Sequence, residues 1–291
     1  MSKLPVVFVF DLDLTLICDT DPLLKFMDFH NFLRDAIKAK KIPVPSPQPY
    51  KYPPIGELLP GAFYRRGLAD ALKEIQRLFP TAEFFVFSAG QRHYVEQMVK
   101  LVEEHTGVHF NRPLFSREDC TFDETRSYRK SIEVQLPRMI ASLAKTYPAL
   151  KKPELVEEVL ANHLVFVDDN DVVWDLKDKW IPCPTYNYVL TLDPTSGVAP
   201  SVMNHAIVRT YQRSANVGFV EPEEMLDDER NLMYHTYMAD FYRHALSFNK
   251  DALQDDFFAR LVAALKPLHK LKRPFASAQV AKLRKALDAK K

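Results

Sequence analysis

Short apolar runs alternate with stretches of helical periodicity over the first two thirds of the chain. Runs of this length, rich in β-branched and aromatic residues and bounded by polar or turn residues, predict buried strands. The predicted strands are 6–10, 82–90, 163–171 and 183–192. Elsewhere apolar residues recur every three or four positions, which predicts amphipathic helices. The predicted helices among these strands are 22–41, 67–80 and 91–105.

Strands separated by helices favour parallel pairing in a sheet with both faces covered. The sequence therefore predicts an α/β fold built on a parallel sheet. After about residue 200 the pattern contains no clear strand, and helices are predicted at 222–248, 251–266 and 276–290. We expect one domain over 1–195 and a helical C-terminal region with a basic tail over 196–291.

Three of the predicted strands end in polar, reactive side chains. Asp11 and Asp13 follow the first strand, and Ser88 closes the second. Asp168 and Asp169 close the third. Because ligands bind at the carboxyl ends of parallel strands, we expect these groups to converge on one site. Buried carboxylates that repel one another require a compensating cation, and a set of oxygen ligands with no His or Cys beside it favours Mg²⁺.

Such a site suits phosphoryl transfer. A carboxylate beside Mg²⁺ can attack phosphorus and form an aspartyl-phosphate, which divides a difficult hydrolysis into two easier steps. An aspartate two residues further on can protonate the leaving oxygen and later deprotonate water. The phosphoryl oxygens need donors, for which Ser88, Lys130 and the metal are candidates. Arg129 is an alternative to Lys130 as the cation.

Composition narrows the class of protein. The 291 residues are 47% hydrophobic and 26% charged, and the net charge is +1, so the chain as a whole predicts no polyanionic partner. Residues 266–291, however, hold nine Lys or Arg and one Asp. This tail is either a solvated helix face or a site for nucleic acid or another acidic partner. The seven glycines form no cluster, which excludes Walker and dinucleotide-binding loops.

Several features predict an intracellular protein, nuclear or cytoplasmic rather than secreted. Cys18, Cys120 and Cys183 lie too far apart for a disulfide framework or a zinc motif and fit a reducing compartment. A strand is predicted within about five residues of the start, which leaves no room for a signal peptide. No apolar run reaches the ~18 residues needed to span a bilayer, so we expect no membrane partner.

Taken in order, the motifs resemble those of the haloacid dehalogenase (HAD) phosphatase superfamily. They are FDLDLTL, FFVFSAG, a lysine, and VFVDD. Within the superfamily, the segments RRGLADALKEIQRLFP, LFSREDCTFDETRSYRKSIEVQL and VFVDDNDVVWDL are similar to the phosphatases of the RNA polymerase II C-terminal domain. The resemblance covers roughly 4–192. It implies a Rossmann-like sheet of HAD type. The chain departs from the small members of the family in its longer segments near 28–60 and 137–162, which we expect to be helical insertions.

The resemblance also implies roles for the catalytic residues. Asp11 would be the nucleophile. Asp13 would be the general acid and base and would meet the metal through its backbone carbonyl. Lys130 would hold the phosphate and the intermediate. Asp168 and Asp169 would complete the metal site, and the sequence does not choose which of them ligates directly.

Four further residues are implied in substrate binding. Thr15 would orient the aspartate loop, and Ser88 with the adjacent Ala89 would bind phosphate. Arg117 matches an arginine near the family's substrate pocket.

The implied activity is that of a Mg²⁺-dependent protein serine/threonine phosphatase acting on phosphoproteins or phosphopeptides. An alternative is an assembly or scaffold protein that keeps the fold and acts through its helical C-terminal region. A member from a large DNA virus is another alternative, since baculoviruses carry a nucleocapsid-assembly protein that is similar to this superfamily. A phosphotransferase or a small-molecule phosphatase is a weaker alternative on the same fold.

Overall fold

A computed structural model describes residues 4–43, 59–122, 128–171, 175–192, 200–215 and 243–288, with the single positions 198, 236 and 240. Four parallel strands form a sheet in the order β2-β1-β5-β6. They are β1 (Val6–Phe10), β2 (Ala82–Val86), β5 (Leu164–Asp168) and β6 (Trp180–Pro182). A short antiparallel hairpin consists of β3 (Thr121–Phe122) and β4 (Tyr128–Arg129). The predicted α/β fold with a parallel sheet is confirmed.

The predicted helices that precede residue 110 are confirmed within a few residues at either end. The helices of the described chain are α1 (Asp21–Lys38), α2 (Leu68–Leu78), α3 (Arg92–Thr106), α4 (Ile132–Leu143), α5 (Pro153–Asn162), α6 (Pro200–Met203), α7 (Ala206–Ala215), α8 (Phe257–Leu265) and α9 (Ser277–Asp288). Residues 243–252 are also helical. Most of the predicted helix 222–248 lies outside the described residues.

Each residue of β1 is buried, and its side chains alternate between the two faces of the sheet. On one face, Val7 and Val9 belong to an apolar cluster that also includes residues of α4 and α5. On the other face, the ring of Phe8 lies 5.3 Å from that of Phe275, and the ring of Phe10 lies 6.5 Å from that of Phe258. The C-terminal segment therefore supplies core residues to the sheet.

The chain divides into two compact units. The first contains 1–17, 64–186 and 254–291, and the second contains 18–63 and 187–253. The division of the chain into two domains at residue 195 stays a prediction. The boundaries of the two compact units fall at other positions. The residues 137–162 are largely helical, as expected, whereas their status as an insertion stays a prediction.

The second unit has its own apolar cluster. It is built from α1, α6 and α7 with the turn after α1. Its buried members are Phe29, Leu33, Ala36, Ile42, Val202 and Val208. Residues 44–58, which belong to the predicted insertion near 28–60, lie outside the described residues.

The predicted strand at 183–192 is wrong, because the fourth strand is β6 and ends at Pro182. The backbone beyond it finds other partners. Pro184 has no N–H to donate, and the Tyr186 N–H donates to the Leu14 carbonyl at 2.8 Å. The Val189 N–H donates to the Asn249 side chain at 2.7 Å. These bonds replace those of a sheet ladder.

Across the described part of the chain, no helix combines the length and the apolarity that crossing a bilayer requires.

Candidate active site

Two neighbouring parallel strands place their last carboxylates side by side. Asp11 directly follows β1, and its N–H donates to the Val167 carbonyl at 2.9 Å, so the chain leaves β1 still bonded to β5. Asp168 is the last residue of β5 and is fully buried. Ligand oxygens of Asp11, Asp168 and Asp169 all lie within 4.8 Å of one another. Three of the five groups that were expected to converge therefore do so at this edge of the sheet.

Lys130 lies between two of these carboxylates. Its Nζ donates to Asp11 Oδ1 at 2.6 Å and to Asp168 Oδ2 at 2.7 Å, and the residue is only 2% exposed. Burial alone would lower the pKa of Lys130, but the attraction of the two carboxylates outweighs it and raises that pKa. Lys130 is therefore held as an ammonium group, and it takes the position for which Arg129 was the alternative.

The charge of the cluster is incompletely balanced by protein groups. Three carboxylates and one ammonium leave a net charge of −2 when all are ionised. Burial raises the pKa of Asp168 to about 7, and burial together with repulsion from Asp11 raises the pKa of Asp169. Both carboxyl groups are thus harder to ionise here than in water, chiefly because they are buried and further because Asp11 repels their charge. Because the donors are hard oxygens from adjacent strands, these residues fit a divalent cation of the Mg²⁺ type.

Thr15 holds the backbone at Asp169, one of the three clustered carboxylates. Its buried Oγ1 accepts the Asp169 N–H at 3.2 Å and lies 3.5 Å from Cys183 Sγ. The intervening Leu14 has a φ of +58°, a left-handed conformation that turns the chain between Asp13 and Thr15. This geometry suits the predicted orienting role of Thr15, and direct contact of Thr15 with substrate stays a prediction.

The Asp13 side chain turns toward the connection between β2 and α3. Ser88 Oγ donates to Asp13 Oδ2 at 3.3 Å, and the Tyr94 hydroxyl donates to Asp13 Oδ1. Asp13 is not among the residues whose ligand oxygens cluster within 4.8 Å in the described chain. Its carboxylate is thus placed apart from the candidate metal ligands, and metal binding through its backbone carbonyl stays a prediction.

The remaining predicted residues form the exposed rim beside this connection. Arg117 Nε donates to the Ala89 carbonyl at 2.7 Å. Its guanidinium lies over the Tyr128 ring at 5.1 Å, and that ring lies 4.8 Å from the ring of Phe122. Arg117 and both rings are exposed. The structure therefore brings the Arg117 cation together with two aromatic rings, one of which, Tyr128, lies two residues before Lys130 in the chain.

Sequence reasoning missed a residue that holds the aspartate loop. Arg65 is 1% exposed, and its Nη1 donates to the Thr15 carbonyl at 3.4 Å. Its Nε and Nη2 bind Asp255 at 3.0 and 2.6 Å, and its guanidinium lies over the Phe257 ring at 4.7 Å. The signal in the sequence was limited to an Arg-Arg-Gly segment, because nothing near position 65 reveals a partner 190 residues away.

Sequence reasoning also missed the contact between Tyr94 and Asp13. Tyr94 sits at a buried position of α3 in register with Val95 and Met98, so the pattern assigns it to the apolar core. The one signal of a different role is its hydroxyl group, because a buried tyrosine hydroxyl usually has a hydrogen-bond partner.

Comparisons with known proteins identify a family and a set of solved structures. The family profile described as NLI interacting factor-like phosphatase matches residues 6–195. No curated protein matches the chain. A structure of a fission yeast RNA polymerase II CTD phosphatase Fcp1 variant bound to beryllium fluoride matches 91% of this chain with 18% identity and a TM-score of 0.40. A structure of Fcp1, described as an essential RNA polymerase II CTD phosphatase, matches the same share with 18% identity and a TM-score of 0.39. This chain covers 62% of each Fcp1 chain.

Proposed function

Because the chain belongs to the NLI interacting factor-like phosphatases, which are phosphatases of HAD type, we propose that it is a Mg²⁺-dependent protein serine/threonine phosphatase with Asp11 as nucleophile. The observation that carries the proposal is the position of Asp11. Its carboxylate lies at a strand end, bonded to a buried ammonium and beside two further carboxylates. Such a group is held ready to attack an electrophile that carries negative charge.

The cation would be held by Asp11, Asp168 and Asp169, whose oxygens already converge. When bound, Mg²⁺ supplies positive charge that offsets the charge developing on the phosphoryl oxygens. Lys130 supplies a second positive charge from the protein itself, and Thr15 keeps the Asp169 backbone in place.

In the first step, a carboxylate oxygen of Asp11 forms a bond to phosphorus while the bond from phosphorus to the serine or threonine oxygen breaks. Asp13, protonated, gives its proton to the departing oxygen, so that the product leaves as a neutral hydroxyl. Lys130 donates a hydrogen bond to the phosphoryl oxygens. The Ser88 proton is directed at Asp13, so phosphate binding by Ser88 stays a prediction.

In the second step, water attacks phosphorus and the bond to Asp11 breaks, which releases inorganic phosphate. The proton of that water passes to the Asp13 carboxylate, which returns this residue to its starting form. One pair of aspartates thus completes the cycle with no other proton carrier.

The exposed rim supports a peptide substrate rather than a small metabolite. Arg117, Phe122 and Tyr128 are exposed, the Arg117 guanidinium lies over the Tyr128 ring, and Tyr128 is two residues from Lys130 in the chain. A guanidinium suits phosphate or an acidic neighbour, and exposed aromatic rings suit apolar side chains of a polypeptide.

The scaffold alternative is not favoured, because the chain belongs to a phosphatase family and Lys130 lies with the carboxylates of Asp11 and Asp168. The scaffold alternative predicts that a variant without phosphatase activity keeps its biological role. Complementation with the Asp11→Asn variant would decide, since full rescue would support the scaffold.

The proposal is tested by Asp11→Asn, which keeps the shape of the side chain and removes the nucleophilic carboxylate. Turnover of p-nitrophenyl phosphate and of a phosphoserine peptide should fall by about 10⁴-fold or more. The exposed Asp70, replaced in Asp70→Asn, is the matched control and should keep full activity. Circular dichroism checks that both variants fold. If the folded Asp11→Asn protein turned over substrate like the wild type, the proposal would be overturned.

A further inference from the structure

We propose that Tyr94 is a positioning residue that holds the Asp13 carboxyl in line with the leaving oxygen; this inference rests on the proposed function. The Tyr94 hydroxyl donates to one oxygen of Asp13, and the Ser88 hydroxyl donates to the other at 3.3 Å. A carboxyl group held at both oxygens cannot rotate freely about its side-chain bonds. When Asp13 carries the proton of the first step, the protonated oxygen keeps a lone pair for its hydroxyl donor, so both bonds can persist.

Ser88 is directed at Asp13 by a third bond. The Gly90 N–H donates to Ser88 Oγ at 2.9 Å and occupies one of its lone pairs. The single hydroxyl proton is then free to point at Asp13. Ser88 is 1% exposed, so its orientation is fixed by these partners and not by solvent.

Tyr94 reaches Asp13 only because position 90 has no side chain. A Cβ on Gly90 would lie 2.6 Å from Cδ1 and 2.9 Å from Cε1 of the Tyr94 ring, too close for real carbon atoms. The tyrosine ring therefore lies directly over the glycine backbone. Tyr94 is 6% exposed, and its ring is packed in the first turn of α3, a rigid support for its hydroxyl.

The position of the Asp13 carboxyl affects the rate only for substrates whose leaving group needs a proton. A poor leaving group such as the serine oxygen must receive a proton as its bond to phosphorus breaks, whereas p-nitrophenolate leaves without one. Loss of the Tyr94 hydroxyl should therefore slow the first class of substrate selectively. A purely structural role for the ring would slow both classes alike.

The test compares Tyr94→Phe with wild type on aryl phosphates whose leaving groups range from p-nitrophenol to phenol, and on a phosphoserine peptide. The measured quantity is kcat/KM, because it reports the first step alone and leaves out the second step, in which Asp13 acts on every substrate alike. For phenyl phosphate and the peptide, kcat/KM should fall by about 10–100-fold, and for p-nitrophenyl phosphate by less than about 3-fold, so the leaving-group dependence becomes steeper. Tyr147→Phe is the matched control, because it removes a hydroxyl that donates to the Glu83 carboxylate at 2.8 Å outside the site. It should leave the leaving-group dependence unchanged.

A second variant disturbs the contact between Tyr94 and Asp13 through the neighbouring residue Gly90. Gly90→Ala displaces the Tyr94 ring without changing its hydroxyl, and the added Cβ would also lie 3.2 Å from Ser88 Oγ. Because it disturbs both groups that hold Asp13, it should reproduce the steeper dependence on the leaving group. An equal loss on all substrates, or no loss, in Tyr94→Phe would overturn the inference. The proposed function fails separately, if Asp11→Asn keeps its activity.

Discussion

A single buried lysine decides whether the carboxylate cluster can exist in a folded protein. Lys130 is 2% exposed and bonds carboxylates from two adjacent strands. Removing one partner from a buried ion pair leaves an uncompensated charge, which costs about 3–5 kcal/mol. Lys130 is thus required for stability as well as for the proposed chemistry.

Replacing this lysine in Lys130→Met should lower the free energy of unfolding by about 3–5 kcal/mol in Mg²⁺-free buffer. Mg²⁺ should restore part of the loss, because a cation at the carboxylates replaces the missing charge. Urea unfolding with and without Mg²⁺ measures both effects. The exposed Lys145, changed in Lys145→Met, serves as control and should stay within about 0.5 kcal/mol of wild type. Wild-type stability of Lys130→Met without Mg²⁺ would contradict this account of the cluster.

At this scale the sequence reveals a residue only when its type conflicts with its surroundings. Asp11 and Asp168 end apolar runs, where a carboxylate has no structural reason to be, and they were predicted. Tyr94 occupies an apolar helical position that suits an aromatic ring, so its contact with Asp13 could not be predicted. Only the tertiary structure shows where its hydroxyl points.

Among the elements, the central strands were predicted well because they are buried on both faces and read as continuous apolar runs. The edge strand β6 was misplaced. It has only three residues, Trp180–Pro182. The segment after it contains as many β-forming residues, yet its backbone bonds go to Leu14 and to the Asn249 side chain. β-propensity identifies residues that suit a strand, but it does not identify the neighbouring strand with which they would pair.

The start of α8 supports the aspartate loop through one ion pair. Asp255 precedes α8 and binds the buried Arg65 with both carboxylate oxygens, and Arg65 donates to the Thr15 carbonyl. The family profile ends at residue 195. An element outside the family match therefore reaches the loop that carries the proposed nucleophile.

This link predicts a contrast between two adjacent aspartates. Asp255→Ala leaves the Arg65 charge buried and unpaired, so stability should fall by about 3–5 kcal/mol and phosphatase activity should fall with it. Asp256→Ala removes only an ion pair with Arg260, in which the Asp256 side chain is 61% exposed. The free energy of unfolding should therefore fall by about 0.5 kcal/mol or less. Denaturant unfolding and aryl phosphate turnover measure both variants. Equal effects at the two positions would refute the link.

Over the whole molecule, the unit that contains the sheet is assembled from three separate segments of the chain. The sequence predicted that the C-terminal region is helical, but local periodicity does not say which surface a helix covers. In α9, Val280, Leu283 and Leu287 are buried, and Arg284 donates to the carbonyls of Trp180 and Lys177. Part of the basic tail is therefore structural.

The lysines of the tail that are exposed can still serve a partner. They include Lys266, Lys270, Lys272, Lys282 and Lys285. An acidic protein or nucleic acid as the partner of this surface stays a prediction, as does the nuclear or cytoplasmic compartment.

A phosphorylated Asp11 is the central intermediate of the proposed reaction, and that species can be captured directly. The wild-type protein is mixed with a phosphoserine peptide and Mg²⁺, quenched within milliseconds in acid, and reduced with borohydride, which converts an acyl phosphate into an alcohol. Mass spectrometry of the resulting peptides should find homoserine at position 11 and unmodified aspartate at positions 13, 168 and 169. Rapid release of phosphate with no reduced residue at position 11, or reduction at another aspartate, would contradict the account.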